Sequence, residues 1–475
     1  MTSVAAKPFR FVDLFAGIGG FRAALEAFGG ECVYSVEIDR AAAAVYERNW
    51  GHSPLGDITE DANDVVMNVP PHDVLAAGFP CQPFSKSGAQ RGMDETRGTL
   101  YWNILKVIQA HHPTLVLLEN VRNLAGPRHR HEWEVIIQTL RDEGYRVSSV
   151  PAVFSPHLLP LERGGRPQVR ERVFISATYD PDGVLDGVVP MPPLPHVSFR
   201  GDEEWDLLDD LPLERGPVPG TELSSAEIAW IDAWDVFVRT MWSSVRARRG
   251  SANVPASLPG FPIWVDKWVE IEDLETWRAG GKRPNYADAS DLPDRWDDVP
   301  AWKQNFLVKN ARFYSDFKLQ LDVWLASHDV MSFPASRRKL EWQAQDSKSL
   351  WETVMHLRPS GLRAKKPNYL PALVAITQTS IIGSRERRIS PRETARLQGL
   401  PDSFVFPDQP NSATYKQMGN GVNVGAVWHV FRRHVERDRA LLTGNGVAGA
   451  RIVEAVDGAP SRSSEILAQH QPAFH

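Results

Sequence analysis

A strand-like segment, Arg10-Phe11-Val12-Asp13-Leu14-Phe15, runs into the turn Ala16-Gly17-Ile18-Gly19-Gly20, and a helix-like segment from Phe21 to Phe28 follows. This unit constrains the fold more than any other feature, because glycines between a strand and a helix let the backbone turn tightly and approach a ligand closely. The alternation then continues. Cys32 to Ile38, Asp73 to Ala77, Leu115 to Leu118 and Val173 to Ala177 read as strands, and Arg40 to Asn49, Leu100 to Gln109 and Trp133 to Glu143 as helices. Strands alternating with helices at this spacing predict an α/β fold, with a mostly parallel sheet covered on both faces.

The rhythm stops after Ala177. From about Thr178 to Arg385 the chain carries acidic, proline-punctuated stretches and many tryptophans, among them Trp230, Trp234, Trp242, Trp264, Trp268, Trp302, Trp324, Trp342 and Trp351. The helical spacing of Trp230 with Trp234, and of Trp264 with Trp268, favours core positions over base-stacking platforms. Basic clusters come late: Arg337-Arg338-Lys339, then Arg358, Arg363, Lys365 and Lys366. They are candidates for phosphate contacts, with a solvated charged face as the alternative. The expected organisation is a first domain over 1–178, an inserted domain over 179–385, a return to the first over 386–440 and a flexible tail over 441–475.

With 475 residues the chain is long enough for such an insertion. Its two cysteines, Cys32 and Cys81, are too few for a disulfide framework or a four-cysteine zinc site, and no metal is expected. A net charge of −6 does not argue against nucleic acid, since a basic cleft can sit inside an acidic total. No apolar run is long enough to span a bilayer, and Met1 to Arg10 has no apolar core of the signal-peptide kind, so a cytoplasmic protein without membrane contact is expected.

Glu37 ends the second strand about 20 residues beyond the glycine turn, where a carboxylate can bind ribose hydroxyls in a nucleotide-type fold. Phe15 is placed to stack on an adenine and Asp57, after Gly56, to meet its amino group. A tight turn without a ligand is the alternative. The segment Ala77-Gly78-Phe79-Pro80-Cys81-Gln82-Pro83-Phe84-Ser85 follows the third strand, at the sheet end where open parallel sheets bind ligands. Cys32 lies inside an apolar strand and reads as a small buried hydrophobe, whereas Cys81 sits among turn residues. A thiolate adding to carbon 6 of cytosine makes carbon 5 nucleophilic toward a sulfonium methyl, which is covalent catalysis. Glu119 closes the fourth strand. If protonated it can donate to ring nitrogen 3 of cytosine; otherwise it is a capping or surface glutamate. Strand alternation places Arg170 and Arg172 on one side, where an arginine can hold the base carbonyl oxygen, or where a solvated strand start would lie.

In this order the segments resemble the DNA (cytosine-5) methyltransferase family of the bacterial restriction–modification type. Phe15-Ala-Gly-Ile-Gly-Gly20 is similar to its cofactor motif, and Gly78-Phe-Pro-Cys-Gln-Pro-Phe-Ser85 to its nucleophile motif. Glu119-Asn120-Val121 and Gln168-Val-Arg-Glu-Arg172 match its base-contacting motifs. Arg388 to Phe404 looks like the segment that organises the recognition domain, and Tyr415 to Val422 like the segment that returns to the cofactor. The resemblance spans roughly 10–178 and 386–435. It implies a Rossmann-like sheet with an inserted target-recognition domain, S-adenosylmethionine as cofactor, double-stranded DNA as partner and a flipped-out target base. It makes Cys81 the nucleophile, with Glu119, Arg170 and Arg172 around the base. It places Phe15, Ala16, Gly17, Gly19, Gly20, Glu37, Ile38, Asp57, Ile58, Pro80, Asn420, Gly421 and Val422 around the cofactor. Gln82, Ser85, Ser87 and Gln168 fall on the DNA or base side. It further implies a monomer with a cognate restriction endonuclease as functional counterpart. Val169 and Gly421 depart from the family's usual basic and hydroxyl residues, and Leu158 to Arg166 looks like a small insertion. A tRNA cytosine methyltransferase on the same fold and an inactive DNA-binding regulator are the competing readings.

Overall fold

The glycine turn does what its composition demands: Gly17 and Gly19 both take positive φ, +55° and +91°, between the first strand and the first helix. A computed structural model describes residues 8–80, 99–183, 205–249, 258–344, 346–373, 379–444, 446–460 and 472–473. These divide into two units. One lies within Met1–Leu213, Pro371–Thr377 and Pro391–His475, the other within Glu214–Leu370 and Gln378–Ser390.

The first unit begins β1 (Arg10–Leu14), α1 (Gly20–Glu26), β2 (Glu31–Val36), α2 (Arg40–Trp50), α3 (Ile58–Asp61), β3 (Val74–Gly78), α4 (Leu100–His111), β4 (Leu115–Val121) and α5 (Arg130–Asp142). It continues with β5 (Tyr145–Val147), β6 (Ala152–Phe154), β7 (Gln168–Val169), β8 (Arg172–Tyr179) and α6 (Leu207–Asp210). Local chemistry sets the helix ends. Asp39 caps α2 by accepting from the Ala41 and Ala42 N–H groups, and Gly51 ends it in the left-handed conformation. Thr99 caps α4 through the Trp102 N–H. Among the described residues the sheet runs β2-β1-β3-β4-β8-β5, with β6 also on β8. The strands β2, β1, β3 and β4 are parallel. The expectation of a mostly parallel sheet therefore needs a correction at one edge: β8 runs antiparallel to β4, and β5 and β6 antiparallel to β8. β5 and β6 thus run in the direction of β4, and β8 is the reversed strand between them. Apolar clusters fill both faces of this sheet, one around Phe21, Leu25 and Phe431, the other around Ile104, Ile108 and Ile136.

The second unit contains α7 (Ser225–Arg249), β9 (Ile263–Trp264), α8 (Ile271–Arg278), α9 (Ala301–His328), β10 (Lys339–Gln343), β11 (Val354–Arg358) and β12 (Gly361–Lys365). Beyond β13 (Leu370–Pro371) come β14 (Ile381–Ile382) and β15 (Arg387–Arg388). Its sheet runs β15-β14-β11-β12-β10-β9. Trp234, Trp268, Trp324 and Trp342 are buried in its core, and the Trp234 and Trp324 indoles donate to the carbonyls of Arg337 and Ala233. Trp302 differs, at 59% exposure. The late cations are mostly engaged: Arg338 pairs with Asp266, Lys366 with Asp346, and Arg337 lies over the Trp230 ring.

The chain then returns to the first unit through α10 (Pro391–Leu397), α11 (Asn411–Asn420), α12 (Val424–Arg437), α13 (Arg439–Gly444) and α14 (Gly446–Gly458). The flexible tail expected over 441–475 is corrected here. Residues 446–458 form a helix whose Ile452 and Val456, one turn apart, are buried with Leu442 in the same apolar cluster as Phe431 and Val435 of α12. Their burial supplies the tertiary support that a short helix lacks alone. Among the described residues no helix is long and apolar enough to cross a membrane.

Candidate active site

The carboxyl ends of β1, β2, β3 and β4 enclose a cavity of about 470 Å³ within the first unit. That size suits a cofactor-sized ligand, and strand ends are where open α/β sheets bind one. Of the residues singled out in the sequence, Phe15, Gly17, Glu37, Ile38, Asp57, Ile58, Pro80, Glu119, Arg172 and Asn420 line it.

One wall is a carboxylate fixed by backbone donors. Glu37 accepts from the Gly17 N–H at 2.8 Å through one oxygen and from the Asp39 N–H at 2.7 Å through the other. The positive φ of Gly17 aims its N–H this way, and Phe15 beside it holds φ +57° despite its bulk. Ile38, 69% exposed, offers an apolar surface next to Glu37. Asp57 caps α3 by accepting from the Thr59 N–H and hydroxyl at 2.9 and 2.8 Å. Across the cavity Asp39 pairs with Lys416 of α11 at 2.8 Å, and the lysine holds the Asp39 carboxyl below its ordinary range.

A second wall carries an acid. Glu119 lies in register with Gly78 and receives Arg172 Nε at 2.9 Å. Burial raises its pKa above the usual carboxylate range, against the opposing pull of Arg172 and Arg170. The next residue, Asn120, donates to the Phe79 carbonyl at 2.8 Å and accepts from the Val121 N–H. It thereby ties the fourth strand end to the loop that leads through Pro80 to position 81.

Several expected residues stand elsewhere. Arg170 does not share a strand face with Arg172, because β7 ends at Val169 and β8 starts at Arg172. Its buried guanidinium instead donates to the carbonyls of Gly419 (2.8 Å), Gly421 (2.6 Å) and Leu373 (3.3 Å). Burial and Arg172 bring its pKa down to about 9, so it stays charged at neutral pH. Gln168 is fully buried, with neither side-chain polar atom hydrogen-bonded, which is not the placement of an exposed DNA contact. Ala16 is buried and donates its N–H to Val36. Gly19, Gly20, Gly421 and Val422 act behind the cavity wall: Trp50 fills the space beside Gly19, Val422 packs on Gly20, and Gly421 caps α11. Cys81, Gln82, Ser85 and Ser87 lie outside the described residues.

Sequence reasoning missed the residues that fasten these parts. Trp50 donates its indole N–H to the Ile18 carbonyl at 3.2 Å, and Arg22 lies over its ring. Gln398 donates to the Met418 carbonyl and Asn423 to that of Leu397, which fixes the turn carrying Gly419 and Asn420. Nothing local marks them; each is an ordinary polar or aromatic residue on a helix or beside one. Cys32 keeps its unreactive reading, since burial pushes its thiol up to about 12.

Residues 9–232 and 267–436 match the family model described as C-5 cytosine-specific DNA methylase. Type II methyltransferase M.AluI of Cellulosimicrobium cellulans is 50% identical, over 96% of this chain and 97% of that protein. Type II methyltransferase M.HgiBI of Herpetosiphon aurantiacus is 30% identical over 88% and 94% respectively. Type II methyltransferase M.HhaI of Haemophilus parahaemolyticus is 45% identical, but over only 35% of this chain and 48% of its own length.

Proposed function

The chain belongs to the C-5 cytosine-specific DNA methylase family, and from that premise we propose that it methylates carbon 5 of cytosine within one short DNA sequence, as the modification enzyme of a restriction–modification system. The observation that carries the chemistry is the pairing of the buried Glu119 carboxyl with Arg172 in the cavity that Pro80 also lines.

The cavity residues fit S-adenosylmethionine. The fixed Glu37 carboxylate suits vicinal ribose hydroxyls, Asp57 an adenine amino group, and Phe15 with Ile38 the faces of the ring. Bound there, the cofactor supplies an electrophilic methyl group on a sulfonium.

The protein's part is to make cytosine nucleophilic. A base inside a duplex exposes neither carbon 5 nor carbon 6, so the target is flipped out into the site. The Cys81 thiolate adds to carbon 6, and the electron pair of the 5,6 double bond becomes available at carbon 5. Glu119, kept toward its protonated form by burial, donates to ring nitrogen 3 and takes up the negative charge that addition creates. Arg172 orients Glu119 and offers its remaining N–H groups to the base carbonyl. After methylation, loss of the carbon 5 proton to a base and departure of the thiolate from carbon 6 restore the ring. We further propose a monomer acting in the cytoplasm, with a cognate restriction endonuclease as its functional counterpart.

The test is incubation with unmethylated genomic DNA and methyl-labelled S-adenosylmethionine, with Cys81→Ser in parallel and bisulfite sequencing of the product. Label at one recurring cytosine, absent with the serine variant, is the expected result. Label on tRNA alone overturns the substrate, and cofactor binding without label on either overturns catalysis.

A further inference from the structure

One ion pair joins two walls of the cofactor cavity. Asp39 divides its carboxylate between two tasks. Oδ1 accepts from the Ala41 and Ala42 N–H groups at 3.0 and 3.2 Å and so caps α2, while Oδ2 accepts from Lys416 Nζ of α11 at 2.8 Å. Each partner is tied to a residue that lines the cavity. The Asp39 N–H donates to Glu37 Oε1 at 2.7 Å, and the other Glu37 oxygen holds the Gly17 N–H. Lys416 stands four residues before Asn420 on α11, about one turn away on the same face of the helix. The pair therefore connects the Glu37 wall to the Asn420 wall, which returns from late in the chain.

α11 has separate anchors on its buried side. Thr414, Gln417 and Met418 are buried, and Gln409 donates to Thr414 Oγ1 and Gln417 Oε1 at 2.8 Å. Arg170 and Gln398 hold carbonyls at its C-terminal end. The Lys416 contact adds little to these in global stability, because the partners are 53% and 35% exposed and an exposed ion pair contributes little. Its location matters more than its strength. Gly17, Glu37, Asp39 and Lys416 form one chain of contacts along the cavity edge, between segments 377 positions apart. A ligand gripped by both walls leaves when they separate, and the pair opposes that separation. Lys416 holds the Asp39 carboxyl below its ordinary range and Asp39 raises the lysine, so both are charged at neutral pH.

We propose that the Asp39–Lys416 pair is a latch across the cofactor cavity, and that Lys416 is a positioning residue which sets how fast cofactor and demethylated product leave. The proposal rests on the S-adenosylmethionine reading above. The latch touches no reacting atom; it acts through the walls that carry Glu37 and Asn420. It therefore slows the departure of S-adenosylmethionine, which bears a sulfonium, and of S-adenosylhomocysteine, which bears a neutral thioether, to the same extent. A lysine that acted instead by screening Asp39, Glu37 and Asp57 from the sulfonium would do the opposite. Its removal would slow the loss of the cofactor alone.

The experiment is a chase. Tritium-labelled S-adenosylmethionine or S-adenosylhomocysteine, bound to the full chain, is displaced by excess unlabelled ligand at low and at high sodium chloride. Lys416→Met and Asp39→Asn are each expected to raise both dissociation rates about threefold, the size of an exposed ion pair. Asparagine retains the Oδ1 cap on α2, so that variant removes the charge and keeps the helix end. The double variant releases ligand no faster than either single one. Lys416→Arg, which keeps a long cationic side chain, recovers most of the wild-type rate, and high salt brings the wild type toward the variants. Urea midpoints stay at the wild-type value throughout. Unchanged rates in both single variants overturn the latch, as do additive effects in the double variant or a change confined to S-adenosylmethionine. A faster rate that comes only with a lowered midpoint, and that arginine does not recover, overturns the positioning role. If the wild-type protein holds neither ligand, the cofactor reading falls; if it holds both and the variants release them at its rates, only the latch is wrong.

Discussion

The indole of Trp50 occupies the space that a side chain on Gly19 would need: a β-carbon there would overlap the indole nitrogen, whose N–H is bonded to the Ile18 carbonyl at 3.2 Å. The last residue of α2 is thus the strut under the cofactor turn. Gly19→Ala meets both this overlap and a φ of +91°. It is expected to weaken S-adenosylmethionine binding at least tenfold, about 1.4 kcal/mol. Trp50→Phe keeps a ring but loses the hydrogen bond, worth about 1 kcal/mol, and is expected to weaken binding roughly fivefold. Isothermal titration measures both, and wild-type affinity in Gly19→Ala would show that the turn does not need this strut.

Glu119 has its pKa raised chiefly by burial. Its protonated fraction is therefore larger just above the usual carboxylate range and falls as pH rises through the shifted pKa. Methyl transfer that depends on this acid should decline along that limb. Glu119→Gln is expected to lower the rate on the order of 10²-fold or more and to remove the limb, while the cofactor still binds. A limb that survives in the glutamine variant belongs to another group.

Arg170 joins three carbonyls that no other described side chain satisfies in one place: Gly419, Gly421 and Leu373. Arg170→Met leaves them buried, at a cost of about 2–4 kcal/mol. Lysine retains the charge but not the planar fork, so Arg170→Lys should recover only part of the loss. Urea denaturation reads the stability, and cofactor affinity reads the displacement of Asn420. An unchanged midpoint together with unchanged affinity would remove the positioning role.

Four buried histidines, His72, His356, His429 and His434, have their pKa lowered by burial and make stability acid-sensitive. Burial brings His72 and His356 to about 4 and His429 to about 3, from an ordinary 6.5. Each contributes fully above pH 6.5, where both folded and unfolded forms are neutral. As pH falls below that value only the unfolded chain takes up the proton, and the contribution drains away toward the folded pKa. The urea midpoint should hold between pH 8 and 7 and fall between about 6 and 4, each histidine adding up to about 1.4 kcal/mol per pH unit. His429→Gln should flatten the fall; an equal fall in that variant assigns it to other groups.

What the chain reveals unaided is local. Glycines between a strand and a helix, a proline-flanked cysteine and a glutamate at a strand end mark the βα units and the parts of the candidate site, because backbone freedom and side-chain periodicity act within a few residues. The four parallel strands, most of the helices around them and the wall made by Phe15, Glu37, Asp57 and Glu119 were legible in that way. Tertiary structure alone decided the rest. Arg170 and Arg172 look equivalent in sequence, yet a break between two strands sends one to hold the 419–421 turn and the other to Glu119. Lys416 meets Asp39 across 377 positions, and the last helix is ordered by an apolar cluster built mostly from residues far earlier in the chain. Spacing specifies which residues share a face, but which partner a long side chain finds depends on what the fold brings within about 3 Å of it, where the cost of an unsatisfied buried group chooses among the candidates.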